Sequence, residues 1–257
     1  MMSGAVHSRD ERPMKPFYGD SLTRRFFSYG YNKLFGLMVR LPLLSEMANM
    51  VSWKVIQFLR MWQYVAFARI QGDYLEFGVF QGTSFALSLR AASKFMGKGQ
   101  PDSPRFFAFD SFEGLSEPDP QKDGNVFSKG DYTSSEKRFL GNIRGAARGW
   151  EVITVKGFYD RSLNPEVVQK HSMKAAAFVT IDCDLYQPAL QALRFVTPLL
   201  KTGSLLYFDD WFYSNGDMGL GEAGACNAWL KENPGISLTD YGNVGVMGKC
   251  FIVSKRS

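Results

Sequence analysis

Four aspartates stand in two close pairs, Asp182 and Asp184 in T-I-D-C-D-L-Y, and Asp209 and Asp210 in Y-F-D-D-W. Carboxylate oxygens are hard donors, and a group of them with water suits Mg²⁺, Mn²⁺ or Ca²⁺ rather than a soft metal. Any one aspartate at a strand end could instead cap a helix or bond loop amides. Two pairs at neighbouring strand ends point to a cation, with Asp182, Asp209 and Asp210 as its ligands.

The surrounding elements place the pairs together. Ala176 to Ile181 and Ser204 to Phe208 are short apolar runs rich in β-branched and aromatic residues, read as strands. Between them Leu190, Leu193, Val196 and Leu200 recur at helical spacing, with Gly203 as the expected helix stop. Neither strand alternates, which is the pattern of a parallel sheet covered on both faces. In such a sheet all strands open their C-terminal ends on one edge, where both aspartate pairs converge.

A second group lies upstream. Tyr74 to Ser84 reads Y-L-E-F-G-V-F-Q-G-T-S and precedes an apolar-periodic helix from Phe85 to Phe95. This is a first strand, a glycine turn and a helix N-terminus, with Gly78 and Gly82 allowing close backbone approach and Thr83 or Ser84 as the expected cap. The G-x-x-x-G spacing lacks the third glycine of a dinucleotide loop, so a ligand without phosphates suits it better than NAD. The next strand, Arg105 to Phe109, ends in Asp110, where a carboxylate can accept both hydroxyls of a ribose. Glu76 and Asp110 would then flank an adenosine-like ligand. The long polar stretch after Asp110 suits a loop bordering an active site, followed by a helix capped by Ser134 or Ser135. A strand over Trp150 to Val155 leads to Gly157, Phe158, Tyr159 and Asp160 on the same edge. Lys156, Tyr159, Asp160 and His171 are the titratable side chains of this region.

The whole chain sets bounds. Its 257 residues allow one large α/β domain with an appendage. A net charge of +5 is mild, and without an RNP-like motif, zinc finger or dense basic run the sequence offers nothing to nucleic acid. Three cysteines, Cys183, Cys226 and Cys250, form neither a C-x-x-C pair nor a disulfide framework, which suits a reducing cytoplasm. Met1 to Tyr18 is polar, and Ser21 to Leu41 mixes aromatics with Arg and Lys. Ser45 is the expected N-cap of a long helix whose apolar face includes Val51, Val55, Phe58, Leu59, Trp62 and Val65. Lys54, Arg60 and Arg69 break it too often for a membrane span. Packing against the protein itself or a second subunit is preferred to membrane-surface contact, so residues 1–70 are expected to form an arm and a lid or dimer contact in a homo-oligomer.

Taken in order, these motifs resemble those of the macrocin O-methyltransferase (TylF/MycF-like) family of class I S-adenosylmethionine-dependent enzymes. The resemblance runs from Tyr74 to Phe251 and rests on L-E-F-G-V-F-Q-G-T-S, F-D-S-F-E-G-L, G-F-Y-D, I-D-C-D-L-Y and F-D-D-W. It implies a Rossmann-like sheet of seven strands, mostly parallel with the last antiparallel, helices on both faces and a methyltransferase domain over residues 71–257. It further implies that Glu76, Gly78, Gly82 and Ser84 line the methionine side of S-adenosylmethionine, that Asp110 and Ser111 hold its ribose, that Asp182 reaches both cofactor and Mg²⁺ or Mn²⁺, and that Asp209 and Asp210 complete the metal site. The sequence departs from the family pattern at Cys183, at Gln187, Pro188 and Ala189, and at Trp211, all on the acceptor side. The expected reaction is methylation of a hydroxyl on a sugar, glycosylated natural product or polysaccharide, with Asp182, Asp184 and Tyr159 catalytic, and Lys156, Asp160 and His171 as other possible bases. The competing readings are an NAD(P)-dependent sugar oxidoreductase or epimerase and a non-catalytic cofactor-binding scaffold.

Overall fold

The computed structural model describes residues 42–256, with side chains from Trp53 onward. The chain divides into a unit Met1–Asn49, described only for its helical last residues, and a unit Met50–Ser257 that carries all the features below. The polar arm to Tyr18 and the basic aromatic stretch to Leu41 lie outside the described residues.

Helix α1 spans Pro42–Phe67 and starts three residues before the expected cap at Ser45. Proline has its φ already set for a helix and lacks the N–H that a first turn leaves unpaired, which suits Pro42 to the first helical position. After it come β1 (Asp73–Phe77), α2 (Thr83–Phe95), β2 (Phe106–Asp110), α3 (Pro120–Asp123), α4 (Glu136–Ile143), β3 (Val152–Lys156), α5 (Tyr159–Ser162), α6 (Pro165–Lys170) and β4 (Ala176–Ile181). The chain closes with α7 (Tyr186–Val196), a 3₁₀ turn (Thr197–Leu199), β5 (Leu200–Phe208), α8 (Gly221–Glu232), β6 (Ile236–Val244) and β7 (Gly248–Arg256).

The strands form one seven-stranded sheet in the order β3-β2-β1-β4-β5-β7-β6. Pairings among β1 to β5 are parallel, and β7 runs antiparallel to both β5 and β6. Alternate strand residues feed two apolar layers. On one face Leu75, Phe77, Phe107, Phe109, Ile181 and Phe208 pack with Leu190, Leu193 and Val196 of α7 and Trp229 of α8. On the other, Tyr74, Phe106, Phe178 and Tyr207 pack with Phe58, Trp62 and Val65 of α1, Phe85 and Leu89 of α2, and Phe139 of α4. Helices on both faces explain why the central strands read as unbroken apolar runs.

Three local expectations are corrected. Helix α7 ends at Val196, not at Gly203, because Pro198 has no N–H to continue the ladder. Leu200 and Gly203 instead begin β5, where the register slips between the pairs Ala176–Leu200 and Phe178–Leu205 and Gly203 takes φ +97°. Neither Thr83 nor Ser84 caps α2; Gly82 holds the cap position in a left-handed conformation without a side-chain bond. Of Ser134 and Ser135, it is Ser135 that caps α4, accepting from the Arg138 N–H.

Candidate active site

The C-terminal ends of β1, β2, β4 and β5 open on a cavity of about 620 Å³. Gly78, Ser84, Asp110, Ser111, Tyr159, Asp182, Asp184, Asp209 and Asp210 all line it. Glu76 and Gly82 do not. Glu76 lies fully buried behind Ser84, whose hydroxyl donates to its Oε1 at 2.5 Å, while the Tyr74 hydroxyl donates to Oε2. Gly82 faces α4, where an added Cβ would press on Ile143 and Phe139.

The glycine turn is held from the next strand. Asp110 Oδ2 accepts the backbone N–H groups of Val79 and Phe80, each at 2.9 Å, and its Oδ1 accepts that of Phe112 at 2.7 Å. A carboxylate offers about four lone-pair sites, so Asp110 keeps acceptor capacity toward the cavity. Ser111, by contrast, is committed locally, donating to the Gly114 carbonyl and accepting from the Glu113 N–H. The long polar stretch between β2 and α4 borders the cavity through Leu115, Glu117, Lys129 and Tyr132.

On the other side the aspartates converge. Oxygens of Asp182, Asp209 and Asp210 lie within 4.8 Å of one another. Asp184, at φ +60°, turns back into the cavity beside Asp210. Burial, then Asp209, pushes the Asp182 carboxyl well above the usual range. Burial, then Asp210, raises Asp184 to about 8, and burial, then Asp209, raises Asp210 to about 6.

Two residues that sequence reading passed over complete this cluster. Lys54 of α1 reaches in and places its Nζ 2.8 Å from Asp209 Oδ2, while the Tyr207 hydroxyl donates to Oδ1 of the same carboxylate. Burial would lower the Lys54 pKa, but Asp209, Asp182 and Asp210 outweigh it and hold the ammonium above its ordinary value. Glu222, on α8 and 1% exposed, accepts the N–H of Cys183 at 2.9 Å and that of Asp210 at 3.1 Å, joining the two aspartate-bearing turns. Each carried a faint sequence signal. Lys54 stands one turn from Phe58 on the apolar stripe of its helix, and Glu222 sits in a helix start that is otherwise small and apolar, G-E-A-G-A-C.

The remaining titratable candidates separate by position. Asp160 lines the cavity and is exposed; Lys156 is exposed and does not line it. His171 sits at the opposite edge of the sheet, where its carbonyl accepts from Arg105 at 2.6 Å. Tyr159 donates its hydroxyl to the Phe109 carbonyl at 3.1 Å, and burial, then Cys183, pushes its pKa well above the usual phenol range.

Burial raises the Glu76 carboxyl to about 7, against the hydrogen bonds from Ser84 and Tyr74 that lower it. The folded protein therefore holds this proton more tightly than the unfolded chain, where Glu titrates near about 4.3. The sign follows directly: Glu76 imposes no cost below its unfolded pKa, and stability falls as pH rises toward the folded value. Urea unfolding of the ligand-free protein should show this fall between about pH 4 and pH 7, and Glu76→Gln should reduce it by on the order of 2–3 kcal/mol. Equal slopes in both proteins would remove Glu76 as the cause.

Comparison with known proteins identifies the family and the fold. The profile of the family described as macrocin-O-methyltransferase (TylF) matches residues 46–219, more than half of the chain. No curated protein matches the sequence. Among solved structures, the calicheamicin methyltransferase CalS11 is 18% identical with a TM-score of 0.60, covering 96% of this chain and 99% of its own. The O-methyltransferase NovP is 18% identical with a TM-score of 0.57, covering 80% of each chain. TomG from Streptomyces achromogenes, an O-methyltransferase of tomaymycin synthesis solved with S-adenosylmethionine, is 12% identical with a TM-score of 0.52, covering 77% of this chain and 79% of its own. At these identities the structures establish the shared fold, and the profile match establishes descent. The chain belongs to the macrocin-O-methyltransferase (TylF) family of S-adenosylmethionine-dependent O-methyltransferases.

Proposed function

We propose that this enzyme methylates a hydroxyl of a sugar or glycosylated small molecule, with Mg²⁺ or Mn²⁺ held by Asp182, Asp209 and Asp210. The observation that carries the reading is that one cavity joins an Asp110-braced glycine turn to a carboxylate cluster. The three aspartates fit a divalent ion by their hard oxygens and close spacing. Such an ion, when bound, lowers the pKa of a coordinated hydroxyl and fixes its orientation.

The residues themselves have distinct tasks. Asp110 accepts one ribose hydroxyl of S-adenosylmethionine at its remaining acceptor site, while its three backbone bonds keep the Gly78 turn in place. Gly78 and Ser84 border the methionine end, with Glu76 supporting Ser84 from behind and Gly82 letting α4 close against the turn. Asp184 takes the proton released as the acceptor oxygen attacks the methyl carbon and the carbon–sulfur bond breaks. Aligning these partners in a restricted pocket supplies much of the acceleration of an in-line displacement. Tyr159, tied to the backbone, positions the cavity wall, and Ser111 shapes the turn after Asp110. An aromatic edge at the mouth, Phe80 against Tyr132 with ring centroids 5.8 Å apart, suits a ring-bearing acceptor. A sugar acceptor also accords with the description of CalS11 as a TDP-rhamnose 3′-O-methyltransferase.

Calorimetric titration with S-adenosylhomocysteine and with NAD, each with and without Mg²⁺, tests the cofactor. Micromolar binding of the first and silence toward the second are expected, and the reverse pattern would replace the reading with an oxidoreductase. Nucleotide sugars and glycosides are then the acceptors to screen.

A further inference from the structure

The cluster already contains a cation. Lys54 Nζ lies 2.8 Å from Asp209 Oδ2, and its side chain is 36% exposed, so the lysine is only partly enclosed. Asp182 and Asp210 also act on it electrostatically. Asp209 is thereby engaged on both oxygens, by Lys54 on one and by the Tyr207 hydroxyl on the other. The lysine is not there by chance of a loose surface chain. It belongs to α1, whose Phe58, one turn further on, is fully buried and meets the Tyr207 ring edge to face at a centroid distance of 5.7 Å. The same helix face therefore fixes the lysine and packs on the tyrosine that holds Asp209.

We propose that Lys54 is a tethered counter-ion that competes with the divalent ion for Asp209, so that metal loading requires the ammonium to leave this carboxylate. The inference rests on the reading of Asp182, Asp209 and Asp210 as a metal site. Without metal, Lys54 relieves the repulsion among the gathered aspartates. With metal, an ammonium and a divalent ion on one carboxylate repel each other strongly at the effective dielectric of a partly buried site. Metal affinity is consequently set below what the aspartates alone would give, and a residue of the N-terminal helix sets it.

The test measures Mn²⁺ affinity directly, from the spectrum of the free ion, in the unaltered enzyme and in Lys54→Met, Lys54→Arg and Asp182→Asn variants, with folding checked by circular dichroism. The expected result is that Lys54→Met binds Mn²⁺ about tenfold more tightly or better, that Lys54→Arg, which keeps the charge, stays within about threefold of the unaltered enzyme, and that Asp182→Asn binds more weakly. Equal or weaker binding by Lys54→Met, with Asp182→Asn still impaired, overturns the competition and leaves the metal site standing. No Mn²⁺ binding by the unaltered enzyme but clear binding by Lys54→Met supports the competition in its strongest form. Silence from all four proteins overturns both the competition and the metal reading beneath it.

Discussion

Replacing Asp209 with Ala is expected to lower kcat by about a thousandfold while the dissociation constant for S-adenosylhomocysteine stays within about threefold. Gly78 follows β1, and Ser84 and Asp110 stand on α2 and β2, whereas Asp209 follows β5 on the other side of β4. Removing Asp209 deletes a carboxylate oxygen from the trio within 4.8 Å and leaves Lys54 and the Tyr207 hydroxyl without their shared partner. The freed ammonium then turns to Asp182 and Asp210, where it opposes a divalent ion more directly. Asp209→Asn keeps the shape and the bond from Tyr207, so it separates charge from packing: it should lose nearly as much turnover as Ala. Retained turnover with lost cofactor binding would move Asp209 out of the acceptor machinery.

Gly78→Ala is expected to be the most damaging Gly→Ala change among the described residues. Gly78 adopts φ +86°, a conformation that side chains rarely take, and a Cβ built there would overlap the Asp182 carbonyl oxygen. That oxygen belongs to backbone in the turn after β4, and the flanking N–H groups of Gly78 and Asp182 are already bonded to Phe109 and Phe77 at 2.9 Å, so neither side can yield. A left-handed alanine alone costs roughly 1–2 kcal/mol, and the overlap adds a backbone shift of about 1–3 kcal/mol or more. Together about 2–5 kcal/mol corresponds to a fall of roughly 4–20 °C in melting temperature for a chain of this length. Thermal unfolding followed by circular dichroism checks it, and a change of under about 3 °C would show that the β1 and β4 turns move apart freely. Because Asp182 moves with its carbonyl, the residual folded protein should also lose cofactor affinity, unlike Asp209→Ala.

The contrast between these two residues shows where sequence reading succeeds and where it stops. Gly78 is legible as a turn residue from L-E-F-G-V-F-Q-G, but its partner is not: the glycine yields room to the backbone of Asp182, more than a hundred residues away. The aspartates were legible as a converging group because parallel strands must share an edge, and that rule needs only the strands and their order. Glu76 and Gly82 were legible as parts of the turn, yet whether a side chain faces the cavity or the layer behind it depends on the strand's pleat and on α4, which the local string does not contain. The helix stop was misplaced for a simpler reason, since Pro198 outranks Gly203 as a breaker and a glycine can as well mark a bulge in a strand.

By itself the sequence determined the α/β order of elements, the shared edge of the sheet, the glycine turn, Asp110 and the aspartate pairs, because these follow from periodicity, turn chemistry and the handedness of parallel connections. Only the tertiary structure decided which polar groups finish the site. Lys54 meets Asp209 across 155 residues of chain, and Glu222 bridges to Cys183 across 39. Contacts at such separations are made by the packing of whole helices against the sheet: α1 on one face through Phe58 and Trp62, α8 on the other through Trp229. The energy that holds Lys54 in place is therefore mostly burial of aromatic surface along its helix, and no local pattern of charge could announce where that burial would carry one ammonium.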